Sequence, residues 1–296
     1  MKIAFGIVAA AGLAMLTMGT VAGAQGADGK LVVIAAENFY GDIAHQIGGD
    51  RVKVTSIMNN PDQDPHLFET SPSVARQLTE AQIVIYNGAD YDPWMEKLLS
   101  SAPRPNRAVI VVADLTGRKA GDNPHLWYDP NTAPKLAKAL SDAFSKADAA
   151  HTADFAGRLS TFVASLEPLN DKITAIRSKY AGTPVTASEP VFGYMVDALK
   201  LKMRNERFQL SIMNDTEPSA RDVAAFERDL KEHKVRVMFY NKQASNKAVQ
   251  HLVDLARDSK IPVVGVTETA PPDVSYQRWM LDQLTDTEKA LVGRST

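Results

Sequence analysis

Apolar, β-branched runs punctuate the chain at Leu31–Ala36, Val52–Ile57, Ile83–Asn87, Ala108–Ala113, Pro184–Ser188, Val235–Tyr240 and Pro262–Thr267, each closed by turn or polar residues. Continuous rather than alternating hydrophobicity is the pattern of strands buried on both faces in a parallel sheet covered by helices. Helical stretches lie between them. Val223–His233 and Asn246–Asp258 carry apolar residues at a spacing near 3.6, and Ser71-Pro72 offers an N-cap and a first helical residue ahead of Val74–Ala81. Strand and helix alternate, which predicts an α/β protein.

The middle of the chain breaks this pattern. Asn131–Tyr180 has no strand-like run and is rich in Ala, Leu, Lys and Asp. A first helix ends near Asp148, and a second covers about Thr152–Tyr180, with Phe155, Leu159, Phe162, Leu166, Leu169, Ile173 and Ile176 recurring at three- or four-residue steps. At 1.5 Å per residue this second helix spans roughly 40 Å, long enough to run the length of such a protein and join two lobes. Pro168 predicts a kink or break inside it. The expected division is an N-terminal α/β lobe over 30–131, linking helices over 132–181 and a C-terminal α/β lobe over 182–296. These are two Rossmann-like lobes with central parallel sheets.

Composition sharpens the picture. Met1-Lys2, an apolar run to Leu16 and the small-residue sequence Ala22-Gly23-Ala24 predict a signal peptide over 1–24, with Gln25 as the new terminus. The apolar run is too short and too rich in Gly and Ala for a good membrane span. There is no cysteine, so neither a disulfide framework nor a lipid on a cysteine is expected, and a metal site would have to use nitrogen and oxygen. The expectation is an exported, soluble, unlipidated periplasmic protein. Removing residues 1–24 takes away Lys2 and no acid, leaving 32 basic residues against 35 acidic ones, a net charge of −3. Lys and Arg are dispersed with no basic tract, so nucleic acid is not an expected partner.

Candidate chemistry lies in two matching hexapeptides, Asp64-Pro65-His66-Leu67-Phe68-Glu69 and Asn123-Pro124-His125-Leu126-Trp127-Tyr128. Proline fixes φ and biases the preceding residue toward extended geometry, so each imidazole leaves a stiff loop that the following apolar pair can anchor. Stiff ligands lose less entropy on binding an ion. Glu189 and Glu268 each fall just past the C-terminal end of a predicted strand, where open α/β sheets gather their ligands. Two such acids in the second lobe can face two histidines in the first, a His₂Glu₂ set split across a cleft. As isolated acids, both could equally be loop-surface residues or residues at helix N-termini.

These motifs, with Ser188-Glu189-Pro190-Val191-Phe192-Gly193-Tyr194, Glu217-Pro218-Ser219 and Thr267-Glu268-Thr269, occur in the order of one family. The chain resembles the zinc/manganese-binding solute-binding proteins of ABC transporters over nearly all of its mature length. The resemblance implies two four-stranded α/β lobes joined by a rigid backbone helix. It also implies one Mn²⁺ or Zn²⁺ per chain as transported cargo, with a membrane permease and its ATPase as partners. By motif, His66 and His125 match the two histidine ligands. Glu189 matches the third position, which is Glu in manganese-type members and often His in zinc-type members. Glu268 stands where the family usually has Asp, one methylene shorter. The histidine-rich loop common in zinc-type members is missing, since only Leu115–Asn123 separates the strand from the second histidine motif.

Other candidates read as ordinary surface or packing. His45, His151, His233 and His251 lie on predicted helices among polar neighbours. Asp62, Asp64, Glu69 and Asp129 are expected to orient a histidine or to be solvated, and Trp127, Phe192 and Tyr194 to pack; Asp64 and Asp273 are left open as further contacts. A sulfur-free His₂Glu₂ set suits Mn²⁺, Fe²⁺ or Zn²⁺: two-oxygen glutamates would raise the coordination number toward Mn²⁺, and one-oxygen binding would give a tetrahedral site for Zn²⁺. Glu189 and the missing loop favour Mn²⁺. A monomer is expected. The competing readings are a periplasmic metalloenzyme and a binder of a small organic solute. No H-E-x-x-H, G-x-S-x-G, P-loop or G-x-G-x-x-G pattern supports an enzyme.

Overall fold

The computed structural model describes residues 29–60, 68–244 and 246–293. The first lobe contains β1 (Leu31–Glu37), α1 (Asn38–Gly48), β2 (Val52–Met58), α2 (Pro72–Glu80), β3 (Ile83–Tyr86), α3 (Pro93–Ser101), β4 (Ala108–Val111) and α4 (Val112–Thr116). Three helices follow: α5 (Thr132–Ala147), α6 (Thr152–Ser165) and α7 (Glu167–Tyr180). The second lobe is built from β5 (Pro184–Ala187), α8 (Gly193–Ala198), β6 (Lys202–Arg204), α9 (Glu206–Met213), α10 (Ala220–Lys231), β7 (Met238–Asn241), α11 (Lys247–Asp258), β8 (Val263–Val266) and α12 (Tyr276–Val292).

Both sheets are four-stranded and parallel, in the orders β2-β1-β3-β4 and β6-β5-β7-β8. The same winding is thus used twice. In each lobe the chain reverses its direction of progress between the first strand and the third, which opens a crevice beyond the strand C-termini. The predicted fold class holds, with local differences. The apolar run Ala108–Ala113 turns into helix at Val112, and the run Val235–Tyr240 becomes strand only from Met238. The edge strand β6 went unpredicted because Lys202-Met203-Arg204 carries no apolar run; a short, charged strand is what a sheet edge tolerates.

Side-chain alternation within the strands explains the continuous runs. Val33, Ala35, Ile83, Ile85, Val237 and Phe239 enter one large core shared by both lobes. Their neighbours Ile34, Ala36, Val84 and Tyr86 pack with Leu78 and Met95 beneath α2 and α3, while Met238 packs beneath α9, α10 and α11. Along β3, and along β1 as far as Ala36, every position is apolar because both faces are covered. The shared core is aromatic where the lobes meet: Phe39 lies 4.8 Å from Trp127, Tyr128 lies 4.9 Å from Phe192, and Phe192 lies 4.9 Å from Phe239. Such ring pairs add about 0.5–1.5 kcal/mol each beyond their buried area.

The long helical segment is interrupted at Leu166, whose N–H turns to Val163 O instead of continuing the α pattern. Pro168 then sits in the first turn of α7, where its missing N–H costs no hydrogen bond. α6 packs on α1 and α5, while α7 packs on α12, so the connection passes from one lobe to the other. Among the described residues no helix is long and apolar enough to cross a membrane.

Candidate metal centre

His125 is fully buried in the loop between α4 and α5. Its orientation is set from behind by its own motif. Asn123 Oδ1 lies 2.6 Å from His125 Nδ1 and also accepts from the His125 backbone N–H. An amide oxygen only accepts, so Nδ1 carries a hydrogen and Nε2 is the nitrogen turned to the cleft. The Asn123 amide is oriented by its other end, since Nδ2 donates to Pro190 O at 2.8 Å. Asn87, just past β3, donates from Nδ2 to Pro124 O at 2.8 Å and accepts from the Tyr40 hydroxyl at 2.6 Å. The Pro-His peptide is therefore held by two polar side chains as well as by the Pro124 ring.

Gly193 permits the close approach of the two lobes here. A Cβ at that position would sit 2.9 Å from Asn123 Nδ2, inside the normal limit for such a contact.

The two glutamates come from strand ends, as their sequence positions predict. Glu189 follows β5 and Glu268 follows β8; the two are 2 % and 0 % exposed. One Glu189 oxygen (Oε1) lies 4.0 Å from His125 Nε2, and one Glu268 oxygen (Oε2) lies 3.5 Å from it. One ligand atom from each of the three residues falls within 4.8 Å of the others, the one such group of metal-ligating side chains among the described residues. A tetrahedral ion with bonds near 2.1 Å holds its ligand atoms about 3.4 Å apart, so this pocket is of ionic size. His125 Nε2 makes no hydrogen bond among the described residues although it is wholly buried, a costly arrangement for a polar atom unless a ligand supplies its partner. Nitrogen and oxygen donors around an ion-sized space fit a divalent transition metal.

The other carboxylate oxygens meet one side chain that the sequence reading missed. Asn241 Nδ2 donates to Glu189 Oε2 at 2.7 Å and to Glu268 Oε1 at 2.6 Å. It ends β7, so it follows an apolar run just as Glu189 and Glu268 do, and that strand-end position is the sequence signal it shares with them. Gln243 extends the support, its Oε1 accepting from the Glu268 and Thr269 backbone N–H groups. Tyr128 on the first lobe donates to Thr267 O at 2.9 Å.

A second buried group, which sequence reasoning did not single out, includes Tyr91, whose ring lies 6.2 Å from that of His125. Glu37, at the end of β1, is fully buried, and burial first, then the charge of Asp92, push its carboxyl well above the usual range. Burial raises Asp92 to about 6 against the pull of the Asn87 and Gly88 N–H groups that donate to it. The Tyr91 hydroxyl is raised by burial and then by Glu268 and Glu37.

His66 and Asp64 lie outside the described residues. Phe68, the fifth residue of the first hexapeptide, packs its ring 4.6 Å from Trp94, and Glu69 is exposed. Asp273 is exposed in the loop before α12 and is not among the converging atoms. His45, His233 and His251 are exposed; His251 pairs with Glu227, and half-buried His151 pairs with Asp148. Trp127 and Phe192 are fully buried in the interlobe core, and the Tyr194 hydroxyl donates to Asn123 O.

A family model, ZnuA, described as the periplasmic zinc-uptake complex component A, matches residues 33–290. The manganese-binding lipoprotein MntA of Bacillus subtilis (strain 168) is 28% identical over 258 residues, spanning 83% of this chain and 82% of its own. The metal ABC transporter substrate-binding lipoprotein SloC of Streptococcus mutans is 22% identical over 284 residues, 87% of this chain and 90% of its own. Among solved structures, the periplasmic zinc-binding protein TroA of Treponema pallidum superposes with a TM-score of 0.75 at 19% identity, covering 89% of this chain and 99% of its own. These relatives are metal-binding proteins rather than enzymes. Two are lipoproteins, which contrasts with the unlipidated form expected of a sequence without cysteine.

Proposed function

The chain belongs to the family of the periplasmic zinc-uptake complex component A, and on that premise we propose that it captures one Mn²⁺ or Zn²⁺ ion between its lobes and hands it to a membrane transporter. His66 and His125 hold the ion from the first lobe, and Glu189 and Glu268 close on it from the second. The observation that carries this reading is the convergence of His125 Nε2 on the two buried glutamates in an ion-sized pocket. All three side chains are buried, so ionic contacts there are stronger than at the surface.

The transport cycle follows from where the ligands sit. An ion bridging two lobes stabilises their apposed arrangement, and the helical connection through α6 and α7 limits the motion to a small rocking. The loaded protein then docks on an ABC permease served by its ATPase, and separation of the lobes removes the glutamates from the ion. We further propose that the chain works as an exported, soluble monomer: it has no cysteine to carry the lipid of its lipoprotein relatives.

Intrinsic affinity rises from Mn²⁺ to Fe²⁺ and on toward Zn²⁺ in an unconstrained nitrogen and oxygen site. Glu189 and the absence of a histidine-rich loop favour Mn²⁺ as the physiological cargo. The test is the metal content, by mass spectrometry, of tag-free protein purified from metal-replete cells, with calorimetric titration of the parent and of His66→Ala, His125→Ala and Glu189→Ala. About one ion per chain in the parent, with affinity lost in the variants, is expected. No metal and no uptake on re-addition would leave an organic solute as the cargo.

A further inference from the structure

We propose that Asn241 is a specificity-determining positioning residue that restricts Glu189 and Glu268 to one metal-facing oxygen each. The inference rests on the metal-binding reading above and concerns how that site chooses among ions.

Asn241 Nδ2 has two hydrogens, and the structure directs one to Glu189 Oε2 and the other to Glu268 Oε1, at 2.7 and 2.6 Å. Its Oδ1 accepts from the Gln243 backbone N–H at 3.0 Å, and its own backbone N–H donates to Ser188 Oγ at 3.1 Å. A flipped amide would lose the Gln243 contact and set an oxygen against two carboxylates, so the donor end is fixed toward them. Asn241 is 1 % exposed, and water does not compete for these bonds.

The geometry divides each carboxylate in two. Oε2 of Glu189 and Oε1 of Glu268 point to the amide, whereas Oε1 of Glu189 and Oε2 of Glu268 are the oxygens 4.0 and 3.5 Å from His125 Nε2. An ion lying between these two oxygens and Nε2 takes one oxygen from each glutamate with both Asn241 bonds intact. Taking the second oxygen means rotating a carboxylate off its donor inside a dry pocket, where such bonds are strongest. Asn241 therefore holds the coordination number low. A small ion content with four ligands, Zn²⁺, loses nothing by this, whereas Mn²⁺, which prefers a fuller oxygen shell, is penalised. This device opposes the leaning toward Mn²⁺ that Glu189 introduces.

The experiment uses the full mature protein, Asn241→Ala, Asn241→Ser and Glu189→Ala, each loaded with Mn²⁺ or Zn²⁺ alone. X-ray absorption reads the number of light-atom ligands on bound Mn²⁺, and competitive titration reads the ratio of Zn²⁺ to Mn²⁺ affinity. Asn241→Ala should raise the Mn²⁺ coordination number by one or two and lower the Zn²⁺ preference about tenfold, within the range that residues supporting a metal ligand command. Asn241→Ser keeps one donor and should fall between Ala and the parent; it carries the test should Asn241→Ala not fold. Equal weakening of both metals with an unchanged coordination number would make Asn241 merely structural and overturn the proposal. If Glu189→Ala still binds as the parent does, the ligand assignment fails; if Glu189→Ala loses the metal while the Asn241 variants match the parent, the role of Asn241 alone fails.

Discussion

Asn123 joins the lobes at Pro190: its Nδ2 donates to the Pro190 carbonyl over 2.8 Å while its Oδ1 faces His125 Nδ1 at 2.6 Å. One amide thereby links the orientation of an imidazole on the first lobe to the backbone next to Glu189 on the second. Asn123→Ala should lower metal affinity about 10- to 100-fold, the usual cost of removing a residue that orients a metal-binding histidine. Calorimetry on the folded variant checks this, and parent-like affinity would show that the ring needs no such support.

Gly193 borders the same contact. Gly193→Ala places a methyl group 2.9 Å from Asn123 Nδ2, so either the Asn123 amide gives up its bonds to Pro190 O and His125 or the two loops move apart. Overpacking of this kind costs typically 1–3 kcal/mol. A lowered melting temperature together with weaker metal binding is expected; a fall in stability with parent-like binding would mean that the loops yield without disturbing His125.

Metal should stabilise the fold by mass action, because the proposed ligands are assembled only in the folded chain. At a free metal concentration one hundred times Kd the gain is about 2.7 kcal/mol. Thermal melts with and without a chelator read it directly. Glu189→Ala should show the chelator-treated curve under both conditions, and a metal-dependent shift that survived in this variant would point to ions bound elsewhere.

Stability should also respond to the buried acid pair. The ordinary value for a glutamate is 4.5, and in the folded protein burial and Asp92 raise Glu37 well above it. The folded state then binds a proton that the unfolded chain releases, so the stability present below pH 4.5 is lost as pH rises toward the raised value. Glu37→Gln has no proton to lose. Its stability relative to the parent should increase as pH rises above 4.5, by at most about 1.4 kcal/mol per pH unit. Melts of metal-free protein at three pH values give the comparison, and a constant gap would contradict it.

The α/β class, the alternation of strands and helices, and the positions of His125, Glu189 and Glu268 in a stiff loop and at strand ends were all legible along the chain. These properties are local: continuous apolar runs, a proline before a histidine, an acid after a strand. The break at Leu166 was legible from Pro168 for the same reason, whereas β6 was invisible because an edge strand needs little hydrophobicity. Which side chains meet depends instead on how distant segments pack. Asn241 lies 52 residues from Glu189 and 27 from Glu268, and Tyr128 lies 139 residues from Thr267. Nothing in the local pattern of an asparagine says that it will stand between two carboxylates; that follows from the repeated strand order, which brings the ends of β5, β7 and β8 to one crevice. The buried pair Glu37 and Asp92 is likewise a product of packing, since burial sets its proton affinity and burial is a property of the assembled fold.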